Sequence, residues 1–564
     1  MTSIHSAKKS LFRYLFEIVF AIIVALIIAT IVRQMWFELY EIPTGSMRPS
    51  FREQDRLTVT KTTFGLNIPL ETEHFYFDPN LVERAKIFIF SGTNIPSLDE
   101  NTAYFGIIPY TKRYIKRMIG KPGDSLYFYG GKIYGIDKEG NSLNVLQDDP
   151  WMKQIEHIPF INFEGNVSMQ GNQTILFEHM GKAIGKLSYT RTGTFQGEIN
   201  VNGAWKKERP FEKNQTDEIS SMGQFWGINN FAMARLLSPG ELKEWTTFHL
   251  EDLEEAELYL QLRHSPNLVY PPPRIYKDGQ HMGIQLSTFE SVIPLKKEHI
   301  QAIRDHMYTS RFVIKSGRTK RYSAETDNFL AGNPHFSDVP DGTYEIYNGK
   351  AEQVGFYGWT SELGSTHPLN STSTTRIKEL FNMGIEMLTS YEPSAYFQIY
   401  YPHRYAYFRD GDLYLLGAPI FNKKDPILQK YIASEKAREA KATTELPYKP
   451  FLDRGPPLKN GVIDKEYIKT FGVKIPEKNY LALGDNHAMS MDSRLFGFVP
   501  ENNIQGAPAF VLWPPGNRWG TPPQTPYPFL SIPRVIVWSI AGTILLIWYF
   551  IRRRRLASTL PDKN

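Results

Sequence analysis

The sequence predicts a mainly β protein with an α+β insertion and two transmembrane helices. Three observations carry that expectation. Two long apolar runs lie near the ends of the 564-residue chain, each bordered by basic residues. Aromatic residues make up 14% of the chain and are accompanied by 41 glycines and 38 prolines, a composition that favours strands and turns. Between the runs, apolar segments meet turn signals such as Lys121-Pro122-Gly123-Asp124.

The first run, Ile18 to Val32, is apolar except for Thr30 and is extended by Leu11, Phe12, Leu15, Phe16, Met35, Trp36 and Phe37. With these flanks it reaches the roughly 20 residues that a hydrocarbon core of about 30 Å requires. It passes into Arg33-Gln34-Met35-Trp36 with no small-x-small site, which argues against a cleaved export signal. Arg13 and Glu17, one helical turn apart, can pair and lower the cost of charge at the membrane boundary. The second run, Val535 to Ile551, follows a Pro-rich stretch and is closed by Arg552, Arg553, Arg554 and Arg555. Those arginines, together with Lys8, Lys9 and Arg13, place both termini on the cytoplasmic side by the positive-inside rule. Residues from about 38 to 534 are then expected on the outer face of the cytoplasmic (inner) membrane.

A net charge of +5 spread over this length, without a basic stripe interleaved with aromatics, argues against a nucleic-acid partner. Cysteine is absent, which removes thiol nucleophiles, cysteine-based zinc sites and disulfides together. The histidines at 264, 281, 299, 306, 335, 367 and 403 are scattered without metal-ligand spacing, and neither an internal repeat nor a phosphate-binding loop is present. No metal or cofactor is expected.

Three segments carry candidate chemistry. Directly after the first span, Pro43-Thr44-Gly45-Ser46-Met47-Arg48-Pro49 specifies a backbone path that suits a nucleophile or a plain turn. Next, Tyr114-Ile115-Lys116-Arg117-Met118-Ile119-Gly120 sets a basic pair among apolar residues, so Lys116 is expected on a strand that ends in the Lys-Pro-Gly-Asp turn. A serine hydroxyl needs a base, and a lysine serves only if burial lowers its pKa from about 10.4 to roughly 7 to 8. The neighbouring apolar side chains supply part of that desolvation. Far downstream, an apolar strand from Tyr480 enters the polar turn Gly484 to Arg494, and a second apolar strand leaves it towards Pro500.

These three segments, in this order after a membrane span, resemble the boxes of bacterial type I signal peptidases, and Asp55 to Lys61 is similar to a strand of that family ending in Val-x-Lys. The resemblance implies a mainly antiparallel β catalytic core and a membrane-bound serine endopeptidase that removes signal peptides from exported preproteins. Ser46 would be the nucleophile and Lys116 the general base. The oxyanion hole would be formed by the Ser46 N–H and the Thr44 hydroxyl, and Ser490 would orient the lysine. Arg117, Asp492 and Arg494 would form a supporting charge network. Tyr40, Ile42, Met47 and Ile115 match positions that line pockets for small P1 and P3 side chains. Exported preproteins, the lipid bilayer and the translocation machinery are the implied partners. Met47 and Phe51, close to the nucleophile, are expected to dip into the membrane interface.

Departures from the family pattern lie at His487-Ala488-Met489, at Met491, and at Arg84-Ala85-Lys86. None removes the dyad, but they leave open a catalytically silent adaptor, and His487 raises a Ser-His alternative although a loop histidine is expected to face solvent. About 370 residues separate Lys116 from Gly484, so a large insertion is expected. The predicted layout is a cytoplasmic N-terminus at 1–10, an anchor at 11–37, and core segments at 38–140 and 445–514 around an insertion at 141–444. A Pro-rich linker at 515–534, a second span at 535–551 and a basic tail at 552–564 complete it. Within the insertion, Glu257 to Leu262 reads as a strand, and Ile377, Leu380, Phe381, Ile385 and Leu388 share one face of a predicted helix.

Overall fold

The first apolar run folds as a helix over Thr2–Met35, and the second as a helix over Ile532–Ser558. Arg13–Met35 and Ile532–Arg555 are each long and apolar enough to cross a bilayer by length and composition. The expected i,i+4 pair forms, with Arg13 Nε donating to Glu17 Oε1 at 3.0 Å. The computed structural model describes residues 2–98, 101–104, 108–163, 165–171, 174–190, 192–201, 203–208, 221–245, 253–270, 273–278, 281–322, 334–385, 402–516 and 518–558. The chain is mainly antiparallel β with helices, and it forms two units.

The first unit comprises Met1–Glu41, Arg56–Ile115 and Pro500–Asn564. In it the strands Phe37–Glu41, Arg56–Thr60, Ile504–Trp513 and Ile87–Ser91 lie side by side, each antiparallel to the next. Arg56–Thr60 alternates, burying Leu57 and Val59, whereas Ile87–Ser91 is buried along its whole length. Trp36 and Trp538, at the ends of the two long helices, meet edge to face with centroids 5.0 Å apart. At the altered Arg84-Ala85-Lys86 site, the Lys86 ammonium pairs with Glu83 at 2.8 Å and lies over the Tyr527 ring.

The second unit comprises Ile42–Asp55 and Lys116–Val499. The strand Arg113–Gly120 enters it at Lys116 and pairs antiparallel with Asn479–Leu483, Leu483 facing Arg117 and Leu481 facing Gly120. The predicted turn follows: Asp124 N–H donates to the Lys121 carbonyl, and Gly123 adopts φ +86°, which a side chain would strain. Strands Ser125–Tyr129 and Lys132–Ile136 then form a hairpin through Gly130-Gly131, both at positive φ as a tight two-residue turn requires.

Three further antiparallel sheets fill most of this unit. One has five strands from Asn166 to Lys207. A six-stranded sheet combines Leu258–Asn267 with strands as distant as Ala418–Phe421, and a second five-stranded sheet runs from Phe312 to Glu362. The last two share one core with the helix Thr374–Met383, in which Leu236, Leu260, Ile293, Phe312, Ile346 and Phe408 are buried. The helix places Ile377, Leu380 and Phe381 in that core as expected, but it stops before Ile385. Gly384, at φ +78°, ends it; Leu388 lies outside the described residues. The exit from the third motif also differs from expectation. A short helix, Ser493–Phe496, capped by the Asp492 carboxylate, stands between the polar turn and the strand at Val499.

Candidate active site

The segment Ile42–Asp55 is a loop with a closed neck. Ile42 N–H donates to the Asp55 carbonyl at 2.8 Å, and Gln54 N–H returns to the Ile42 carbonyl at 2.7 Å. Inside it Gly45–Met47 makes one 3-10 turn, closed by Arg48 N–H on the Gly45 carbonyl. A Cβ at 45 would sit 2.7 Å from Glu53 Oε1, so the Glu53 side chain would have to shift to admit one. Ser46 is buried within this turn and only 8% exposed.

Lys116 Nζ donates to Ser46 Oγ at 3.1 Å. Lys116 is 4% exposed, and Met118 and Ile119 beside it in the strand are buried, so little water solvates the amine. Burial accordingly pushes its pKa down from 10.5 to about 8; Asp492 and Asp485 oppose the shift and Arg494 adds to it. The Thr44 hydroxyl lies 3.5 Å from Ser46 Oγ.

The third motif wraps this pair. Arg117 and Asp485, both buried, form a fork of two bonds at 2.8 and 2.7 Å, and Arg117 Nη2 also reaches Ser50 Oγ at 2.9 Å. Asn486 donates from its backbone to the Ser46 carbonyl and from its side chain to the Gly45 carbonyl. Asp492 accepts from Gly484 N–H at 2.8 Å and is paired with Arg494, whose other arm donates to the Ile158 carbonyl. Ser490 is buried close to Gly484, where a Cβ would run into Ser490 Oγ and the Ser46 carbonyl. Its Oγ has no hydrogen-bond partner among the described residues, so the bond to the Lys116 amine implied by the resemblance is not formed.

Several expectations are revised by burial. His487 does not face solvent. It is 3% exposed, stacks edge-on to Tyr405 and directs Nε2 towards the His403 carbonyl at 3.3 Å. Burial, reinforced by Arg494, holds its pKa well below 6.5, so the ring is neutral. Met47 and Phe51 expose no surface and cannot dip into an interface, whereas Met491 in the third motif is 49% exposed. Ile42 is buried, and Ile115, immediately before the lysine, is half-buried. Tyr40, in the first unit, donates to Glu38 at 2.7 Å and accepts from Lys61 at 3.1 Å. Burial would raise the Glu38 carboxyl, but Lys61 and Arg113 bring it down to about 2.

Asp485, Asn486 and Gly484 contact the nucleophile loop or its supports, yet the sequence reading assigned them no role. The signal was present in the Gly-Asp-Asn stretch itself, since a small residue followed by two hydrogen-bonding ones at a strand end marks a tight approach. Among the described residues no three His, Asp or Glu side chains are placed to hold a metal ion.

A model of the family described as signal peptidase, peptidase S26, matches residues 15–176 and 407–513. Over those two segments the chain is similar to this family. Signal peptidase I of Aquifex aeolicus (strain VF5) is 39% identical over 62 residues, which is 11% of this chain and 24% of that protein. Signal peptidase I of Buchnera aphidicola subsp. Baizongia pistaciae (strain Bp) is 41% identical over 61 residues, 10% of this chain and 20% of that protein. Signal peptidase IB of Staphylococcus aureus (strain N315) is 50% identical over 40 residues, 7% of this chain and 21% of that protein. The chain thus spans about a quarter or less of the length of these relatives. The family match is interrupted between 176 and 407, inside the stretch expected to be an insertion.

Proposed function

We propose that the protein is a membrane-bound serine endopeptidase that removes signal peptides from exported preproteins, with Ser46 as nucleophile and Lys116 as general base. The observation that carries this reading is the 3.1 Å contact between a buried lysine, with its pKa at about 8, and a serine hydroxyl fixed in a closed turn. A neutral amine at that distance takes the hydroxyl proton as Oγ attacks the scissile carbonyl, and the ammonium so formed returns a proton to the leaving amine. The acyl-enzyme is then hydrolysed by water, activated by the same amine.

The Ser46 N–H and the Thr44 hydroxyl are the proposed oxyanion donors; loss of one such donor costs about 3 to 4 kcal/mol of transition-state stabilisation. Ser490 would orient the lysine once its hydroxyl finds the amine, while Arg117, Asp492 and Arg494 keep the surrounding loop in place. Both termini would be cytoplasmic and the catalytic residues would act on the outer face of the inner membrane, in contact with lipid and with precursors delivered by the translocation machinery.

The test is cleavage of a leader-bearing precursor in detergent by wild type, Ser46→Ala, Lys116→Ala and His487→Ala. Loss in the two dyad variants with His487→Ala still active is the expected result. A folded wild type without turnover would favour a silent adaptor, and loss with Ser46→Ala and His487→Ala but not Lys116→Ala would favour a Ser-His pair.

A further inference from the structure

The nucleophile loop is gripped by residues of the insertion. Glu345, on strand Gly342–Tyr347, is fully buried and accepts from three guanidiniums. Arg48 Nη2 lies 2.7 Å away, Arg52 Nη1 2.5 Å and Arg311 Nε 2.8 Å. Arg48 and Arg52 belong to the loop that carries Ser46. Arg311 belongs to the insertion and reaches back to the loop, donating to the Glu53 carbonyl at 3.1 Å and to Gln54 Oε1 at 3.3 Å. Glu352, on the next strand, holds Arg52 from a second side at 2.8 Å. Arg311, Glu345 and Glu352 all fall in the interval 177–406, which the family match does not cover.

A buried ion cluster offers little net stability over apolar packing of the same volume, so what it supplies here is fixed geometry. The geometry it fixes is that of the 3-10 turn. Arg48 N–H closes the turn on Gly45, and its guanidinium, pinned between Glu53 and Glu345, sets the direction in which that turn presents Ser46. Burial alone would raise the Glu345 carboxyl, but Arg48, Arg311 and Arg52 hold it well below the ordinary carboxylate range, so the clamp keeps its charge at neutral pH. Glu345 exposes no surface and so has no direct route to a substrate.

We infer that Glu345 is a positioning residue through which the insertion aims Ser46, by anchoring Arg48 and Arg52 of the nucleophile loop. The inference rests on the reading of Ser46 as nucleophile. On this view the inserted five-stranded sheet is part of the catalytic machinery's frame and not a separate module.

The test uses the full-length chain in detergent as wild type, Glu345→Gln, Glu345→Asp and Arg52→Gln. Two quantities are measured: steady-state cleavage of a leader-bearing precursor, and amide hydrogen exchange across residues 42–55. In Glu345→Gln, Arg48 keeps Glu53 and Arg52 keeps Glu352, so the fold has partners left for both loop cations. Misaimed by about an ångström, the nucleophile should lose on the order of 100-fold in kcat with KM changed by less than about twofold. Exchange in the loop should accelerate as the local opening cost falls. Glu345→Asp should recover part of kcat, and Arg52→Gln should show a smaller loss in the same direction. An unchanged kcat, a loss confined to KM, or unchanged exchange in the loop overturns the inference. If Glu345→Gln does not fold, Arg52→Gln decides by the same criteria. If wild type itself does not cleave, the nucleophile reading fails on its own, and the exchange measurement still decides whether Glu345 holds the loop.

Discussion

Asn486 holds the backbone of Ser46: its backbone N–H donates to the Ser46 carbonyl at 3.1 Å, and its Nδ2 donates to the neighbouring Gly45 carbonyl at 3.1 Å. A turn of three residues has few internal bonds, so its carbonyls must be satisfied from outside. Asn486 supplies two of those donors. Asn486→Ala removes one of them; the Gly45 carbonyl keeps the Arg48 N–H, so the loss is that of a single hydrogen bond, about 0.5 to 1.5 kcal/mol. The expected result is a kcat loss on the order of tenfold to 100-fold with a modest fall in thermal midpoint. Equal activity in a folded Asn486→Ala would show that the turn is held without it.

The pH dependence should follow Lys116. With its pKa at about 8, the amine is mostly protonated at pH 7 and mostly neutral at pH 9. The logarithm of kcat/KM for precursor cleavage should therefore rise with unit slope below about pH 8 and level off above it. His487, buried and neutral through this range, contributes no limb near that pH. His487→Ala should leave the midpoint in place, whereas a midpoint that moves with this substitution would assign the base to the histidine.

The same lysine costs stability. In the unfolded chain it titrates at 10.5, in the folded one at about 8, a difference equivalent to about 3 kcal/mol. Below pH 8 both states carry the proton, and the folded state bears the full cost of a buried ammonium. Between about 8 and 10.5 that cost is relieved as only the folded amine is neutral, and above 10.5 it is gone. Lys116→Met should therefore abolish turnover yet raise the thermal midpoint at pH 7, with the gain fading as the pH approaches 10.5. A lower midpoint at pH 7 would mean that the ammonium is better solvated than its burial implies.

The two long helices, the Lys116 strand and its turn were legible because hydropathy and turn chemistry act over a few neighbouring residues. What depends on distant partners was not. The burial of His487 is made by Tyr405 and the His403 carbonyl, which no local pattern around the histidine announces. Phe51 and Met47 read as surface residues beside a membrane span, but the loop closes at Ile42 and Asp55 and turns both inward. The helix from Thr374 has an apolar stripe that continues past its end, and the single glycine at 384 outweighs that periodicity. The clamp at Glu345 was the least accessible, since its arginines belong to a loop and a strand edge separated by most of the insertion.

Gly484 tests how tightly the three motifs are packed. It follows the strand Asn479–Leu483, and its N–H is held by Asp492 at 2.8 Å, so its backbone cannot move away without breaking that bond. A Cβ at this position meets Ser490 Oγ, Ser490 Cβ at 2.5 Å and the Ser46 carbonyl at 2.6 Å, contacts that real Cβ atoms do not make. Ser490 has somewhere to turn, but the Ser46 carbonyl is backbone and is already bonded to Asn486. The strain in Gly484→Ala must therefore pass into the nucleophile turn. Overpacking of this kind costs about 1 to 3 kcal/mol in stability. The displacement of Ser46 relative to Lys116 should be the larger effect, lowering kcat on the order of 100-fold while the protein remains folded. Measuring kcat beside the thermal midpoint separates the two, and a variant that loses stability but keeps its kcat would show that the turn and the third motif move together as one rigid piece.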